Sequence, residues 1–259
     1  MLGKSFSNAV PGSVRPVPAG PGPSLDPLRG PAAGLAMGAL NALIAKTLAK
    51  DGRLQLETLF SALGALAGFA AQHAVRQECV VDGGMAEDEA FLIVQSKSGE
   101  RFYFGDRINR QLAPEHPQAM TLFSIVGGEA MRLGAKKEEL PDVLGIFERV
   151  AKSLDSPDFG VPDMPAGHKP YLSPKKSVAV FWNAVVTAFT REPVKPVPGF
   201  ALVEPKLWPL ALATMAAGYM GQFQKHLSPA LAARAFMEAA VPMSKVDPAN
   251  VTPQSLRAH

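Results

Sequence analysis

Apolar residues recur every three or four positions through most of this chain, and that spacing restricts it to folds in which helices cover one another. A stripe of period 3.6 lines one face of a helix and is buried only when a second apolar face meets it. The cleanest stripe is Leu140, Val143, Leu144, Phe147, Val150, Ala151 and Leu154. A first helix carries Leu35, Leu40, Leu43, Ile44 and Leu48, and Asp51-Gly52 stops it. The second, about Leu56 to Arg76, sets Leu59, Leu63, Leu66 and Ala70 on one face. Gly34/Gly38 and Gly64/Gly68 are Gly-x-x-x-Gly pairs, a spacing that lets two helix backbones approach closely.

Further helices are marked by their first turns. Pro117 precedes Met120, Phe123, Val126, Ala130 and Leu133. Ser173-Pro174 joins a capping hydroxyl to a first-turn proline ahead of Val178, Phe181, Trp182, Val185, Val186 and Phe189. Pro205 opens a very apolar helix through Trp208, Leu212, Met215 and Tyr219, and Ser228-Pro229 opens the last, with Leu231, Ala235, Phe236 and Ala239 inward. Between the second helix and Pro117 the period falls to two. Glu78 to Val81, Phe91 to Ser96 and Arg101 to Phe104 read as short strands, with Lys97 to Glu100 as a hairpin loop in which Gly99 is free to take positive φ. The expected fold is therefore mainly α, α+β at the margin: a multi-helix, orthogonal or bundle-like domain with a two- to three-stranded antiparallel β-element.

Proline and glycine set the domain plan. Residues 1–31 are too rich in both to hold a helix and are expected as an extended N-terminal arm. Residues 32–242 are expected to form one helical domain with its β-element near 78–104, and 243–259 a loose C-terminal tail. The connector from Ser156 to Pro174 is long for a loop, yet the amphipathic helices on both sides need partners, so it is read as a surface loop within one domain.

Composition excludes several classes. Hydrophobic residues are 47% and charged residues 19%, enough for a large core. The net charge of +3 is not gathered into a basic stripe: Glu138-Glu139 follows Lys136-Lys137 directly, so nucleic acid is not an expected partner. With Cys79 as the single cysteine there is no internal disulfide and no cysteine-built zinc site, which suits the reducing cytoplasm. Prolines 11, 16, 18, 21 and 23 interrupt any signal or transit helix. Ala32–Ala45 and Leu207–Phe223 approach the length of a membrane span, but amphipathic partners are present to cover them, and membrane insertion is not expected.

Chemical signatures are sparse. The five histidines never pair at i, i+3 or i, i+4, and the loop with Asp155, Asp158, Asp163 and His168 lacks a calcium-loop pattern, so neither metal nor cofactor is expected. His73 and Cys79 could supply a base and a thiol but fall on different expected elements. Nucleophile-elbow, phosphate-loop and zinc-protease motifs are absent. The densest polar cluster follows the hairpin: Asp106 is placed to cap a short helix, on which Arg107 and Arg110 share a face beside Asn109, with His116 just beyond. Such a group could grip a carboxylate or phosphate, or could be a capped connector whose arginines make surface ion pairs.

The expectation for function is a soluble intracellular binding or interaction protein that self-associates into a homo-oligomer through its Ala/Gly-rich helical faces. One alternative is a helical pocket for an apolar or anionic small molecule, lined by Trp182, Trp208, Met215, Tyr219 and Met220. The other is an enzyme acting on an anionic substrate through Asp106, Arg107 and Arg110.

Overall fold

The computed structural model describes residues 25–116, 118–154, 156–192 and 200–251. At its centre lies α2 (Leu56–Val75), in which every residue except Leu56, Glu57 and His73 is buried. A helix enclosed on all sides needs neighbours around its whole circumference. They are α7 (Pro174–Thr190), α8 (Trp208–Phe223) and α9 (Pro229–Met243), with the short α4 (Asp106–Leu112) also against it. Around these pack α1 (Pro31–Leu48) against α7, α5 (Leu122–Arg132) between α8 and α9, and α6 (Val143–Lys152) on α9. The one-turn helix α3 (Glu87–Ala90) completes the set.

The closest packing is between α2 and α9. A Cβ placed on Gly64 would lie 2.0 Å from the Phe236 carbonyl oxygen, and one on Gly68 would lie 1.9 Å from that of Ala240. Two successive turns of α2 therefore rest directly on the backbone of α9. Of the two Gly-x-x-x-Gly pairs, only this one is used among the described residues, none of which comes within 4 Å of a Cβ on Gly34 or Gly38. The α1 stripe is correspondingly split. Leu40, Ile44 and Leu48 are buried, whereas Leu35 and Leu43 are 58% and 44% exposed. Leu144 of the α6 stripe likewise faces outward.

The fold is mainly α with a small antiparallel sheet. Strands β1 (Leu92–Gln95) and β2 (Arg101–Phe104) pair with Leu92 opposite Phe104 and Gln95 opposite Arg101, around a turn in which Gly99 has φ +86°. The strand expected at Glu78–Val81 is not one. Arg76–Asp82 continue α2 as a π-helical extension that ends at Gly83-Gly84. The Val80-Val81 pair carries a strand preference, but the helix is already running when the chain reaches it, and continuation keeps the backbone hydrogen-bonded. His73 and Cys79 consequently share one continuous helix.

Two segments expected to be loose are fastened. Residues 243–251 are not a free tail: Met243, Ser244, Lys245, Val246, Asp247 and Val251 are buried. The Tyr103 N–H donates to the Lys245 carbonyl at 2.8 Å, Val246 bridges Phe102, and the Gln72 amide donates to the carbonyls of Ser244 and Val246 at 3.3 and 3.0 Å. Residues 252–259 lie outside the described residues. At the other end, residues 1–24 of the expected arm are also outside them, while Asp26–Arg29 form a 3-10 turn that buries Leu28. The long 156–174 connector is pinned at several points. Arg234 Nε donates to the Asp163 carbonyl at 2.8 Å, His168 Nδ1 meets Glu57 Oε1 at 2.7 Å, and the Tyr171 hydroxyl donates to the Leu48 carbonyl at 2.5 Å. Met164 is buried and Phe159 packs edge-on against Phe102, so a few apolar anchors and polar bonds across the surface hold the connector together.

Among the described residues, two stretches are apolar and long enough to cross a membrane, Pro31–Leu48 and Leu56–Asp82. The best window of the second is 94% buried and that of the first only 33%. The helix at Trp208–Phe223 does not reach the required length.

The α2–α9 contact yields a direct stability test. Gly64→Ala or Gly68→Ala forces the two backbones apart and is expected to cost about 3 kcal/mol or more in urea unfolding. Gly218→Ala, at an exposed position of α8 with open space around it, is expected to stabilise by roughly 0.5–1 kcal/mol.

Candidate functional site

The residues singled out after the hairpin do not converge. Helix α4 starts at Asp106, but its N-cap is Gly105, whose φ of +131° suits glycine, and Asp106 makes no capping bond. Arg107 Nη1 turns inward to Cys79 Sγ at 3.1 Å. Arg110 Nε pairs with Glu115 at 2.9 Å on the exposed side. Asn109 Oδ1 accepts from Lys245 Nζ at 2.7 Å, and His116 is exposed beyond the helix. Three neighbouring side chains therefore serve three different partners.

Lys245 is the unusual member of this group. Its side chain is 1% exposed, and its ammonium lies 5.4 Å from the Phe104 ring centre and 5.5 Å from that of Phe147. Burial disfavours the charged form and pushes its pKa down to about 7. No sequence signal marked it, because a lysine beyond Pro242, near the C-terminal end of the sequence, reads as a tail residue.

Polar groups do converge at the C-terminal end of α2. His73, the one opening in the buried run of α2 from Thr58 to Val75, stacks on Trp208 at 5.2 Å and meets the edge of Trp182 at 5.4 Å. Burial, with the nearby Arg76 charge second, lowers its pKa and keeps the imidazole neutral near pH 7. One helical turn on, Arg76 lies over the rings of Phe91 and Tyr103, at 5.1 and 4.7 Å, and its Nη1 pairs with Glu87. The far oxygen of Glu87 accepts from the Tyr103 hydroxyl at 3.4 Å and lies 3.7 Å from Arg101 Nη1. Arg101 Nε donates to Asp247 at 3.1 Å. The result is a ladder of alternating charge, Arg76–Glu87–Arg101–Asp247, drawn from α2's extension, α3, β2 and the fastened C-terminal segment. Burial raises the Tyr103 pKa, so its hydroxyl stays protonated, and the Asp247 bond raises that of Arg101.

This ladder and the two aromatic walls enclose a cleft of about 260 Å³. Its members are spread from residue 69 to residue 248, and no local spacing ties Arg76 to Asp247. The expected aromatic pocket, by contrast, is divided. Trp182 lines the polar cleft, while Trp208, Met215 and Met220 are packed in the core and Tyr219 stacks on Phe223. Among the described residues no group of three or more His, Cys, Asp or Glu side chains could hold a metal ion. Asp163 is bound to Arg234 and His168 to Glu57; Asp155 lies outside the described residues.

A second opening is apolar. A groove of about 550 Å³ runs between α1 and α7, lined by Leu35, Ala39 and Leu43 on one side and Ala184, Ala188 and Phe200 on the other. Compared with protein-family models, with curated proteins and with solved structures, the chain has no significant match.

The buried lysine gives a pH test. In the unfolded chain Lys245 holds its proton up to the ordinary lysine range, whereas in the folded protein it releases it near 7. Between these values the unfolded state binds more protons, so stability rises with pH across that window and the folded state is penalised below it. Urea unfolding from pH 6.5 to 9 is expected to show wild-type stability climbing relative to Lys245→Met, with a flat difference counting against the assignment.

Proposed function

We propose that this protein is a binding and interaction module that works as a homo-oligomer, with the α1/α7 face as its self-association surface. One observation carries the reading: α1 is apolar enough along its length to pass for a membrane span, yet the described residues cover only a third of it. The uncovered part is not featureless. Gly34 and Gly38 leave shallow hollows, while Leu35 and Leu43, two helical turns apart, project beside them. Hollows and ridges on the same strip are what a two-fold contact requires, because each copy presents both halves of the fit. The α2–α9 contact demonstrates the same device inside the chain, with glycines admitting a neighbouring backbone.

Size bounds the strength of such an interface. An eighteen-residue helix is about 27 Å long, and with α7 beside it the face offers on the order of 500 Å² per copy. That is smaller than a standard stable interface of about 800 Å² per partner, so association in the micromolar range is the expectation. The cytoplasm fits the lone unpaired Cys79.

Sedimentation velocity of the full chain over roughly 1–100 µM is expected to show a reversible monomer–dimer equilibrium. Leu43→Glu places a charge in the contact and should weaken it by about tenfold or more without changing the urea midpoint, since Leu43 is already half exposed. A wild type that stays monomeric throughout, a variant that dimerises equally well, or vesicle binding by the monomer would each overturn the reading.

A further inference from the structure

The self-association face leaves the polar cleft unexplained, and the cleft holds buried polar atoms without partners. Arg76 Nε and Nη2 are both shielded from solvent and make no hydrogen bond among the described residues; so is Gln72 Oε1, although the Gln72 amide nitrogen is fully engaged with the C-terminal segment. Gln72 is completely buried and Arg76 largely so, and both line the cleft. Leaving charged donors unpaired in a place solvent does not reach is costly, and folded proteins rarely keep such groups without a reason.

The unpaired atoms of Arg76 are a particular pair. Nη1 is committed to Glu87, which leaves the Nε/Nη2 edge, the side of the guanidinium that presents two parallel N–H donors. Elsewhere in this chain the same edge is filled by a carboxylate: Arg132 Nε and Nη2 donate to the two oxygens of Glu129 at 2.7 and 2.6 Å. Arg234 uses the same edge on Asp163, through its carbonyl and carboxylate at 2.8 and 2.9 Å.

We infer that the cleft binds a small monocarboxylate bearing a neighbouring hydroxyl or amino group, with the Nε/Nη2 edge of Arg76 taking the carboxylate and Gln72 Oε1 accepting from the adjacent donor. Gln72 on α2 and Arg76 at the start of its extension stand four residues apart, a spacing that suits a ligand whose donor is next to its carboxylate. A cleft of about 260 Å³ admits only a small molecule. Glu87 and Asp247 beside the site repel a doubly charged phosphate while one negative charge matches one free guanidinium edge. The neutral His73 and Trp182 supply the less polar wall. Because solvent does not touch the fork, the ligand seats by displacing a side chain. Arg101, held by Asp247, Glu87 and the face of the Tyr103 ring, is 47% exposed and is the most exposed member of the ladder, and so the candidate to move.

Calorimetric titration of the full chain with L-lactate, acetate and inorganic phosphate tests this. Lactate is expected to bind about tenfold more tightly than acetate, and phosphate to give no heat. Arg76→Lys keeps a charge for Glu87 but loses the two-pronged edge, and should weaken lactate about tenfold or more. As a readout that does not need the variant to fold, the Arg76 Nε–H resonance of the wild-type protein should shift on addition of lactate. Absence of lactate binding, lactate no tighter than acetate, a folded Arg76→Lys that binds lactate unchanged, or a stationary Nε–H resonance would overturn the inference. None of these readouts depends on the oligomeric state.

Discussion

The architecture depends on one steric fact: two glycines of α2 touch the carbonyl oxygens of α9. A helix buried around its whole circumference cannot have large side chains everywhere, since its neighbours would then stand too far apart to close the layer. Gly64 and Gly68 remove the side chains on one strip and bring α9 into direct contact, which leaves room for α7 and α8 on the remaining faces. Of the outer helices, α5 and α6 are then arranged against α8 and α9, α1 mainly against α7, and the short α4 against α2 itself. Substituting methyl groups on that strip would displace an entire layer, so the strip sets the spacing of the bundle.

The polar cleft follows from where this enclosure ends. Around His73, the one opening in the buried run of α2, the wall is completed by elements of a different kind: the π-helical extension, the one-turn helix α3, the hairpin and the segment after α9. Each contributes one charged residue, and the signs alternate so that every carboxylate touches a guanidinium. Such a ladder is electrically quiet overall, yet it leaves one guanidinium edge unused. The hairpin, small and marginal by itself, is held by Tyr103 and Phe102 against the C-terminal segment as well as by its own strands.

Much of the helical plan was legible because apolar spacing and first-turn chemistry agree. Ser173 and Ser228 cap their helices through the Lys176 and Leu231 amides, as a serine before proline implies. The hairpin was equally plain, since Gly99 and the alternating Phe91–Phe104 run point the same way. Errors arose where tertiary context outweighs local preference. Glu78–Val81 looks like a strand but extends a helix already under way, and Lys245–Asp247, beyond a proline in a polar-looking stretch, is locked by bonds from Gln72 and Tyr103, residues more than a hundred positions earlier. The cluster after the hairpin disperses for the same reason. Arg107, Asn109 and Arg110 are adjacent in sequence and disperse in space, whereas Arg76, Arg101 and Asp247 are far apart in sequence and meet; a reading based on neighbourhood sees only the former.

The long reach of the α2–α9 contact has a kinetic side. The chain is synthesised from its N-terminus, so the central helix, α2, is complete well before α9 exists to cover its glycine strip. Until some 170 further residues have been added, the growing chain carries a helix with no stable place to lie, and the decisive pairing must then close a very large loop. Folding of this topology is therefore slow relative to bundles built from neighbouring helices, and the interval before α9 arrives is when a nascent chain most needs something else to shield it.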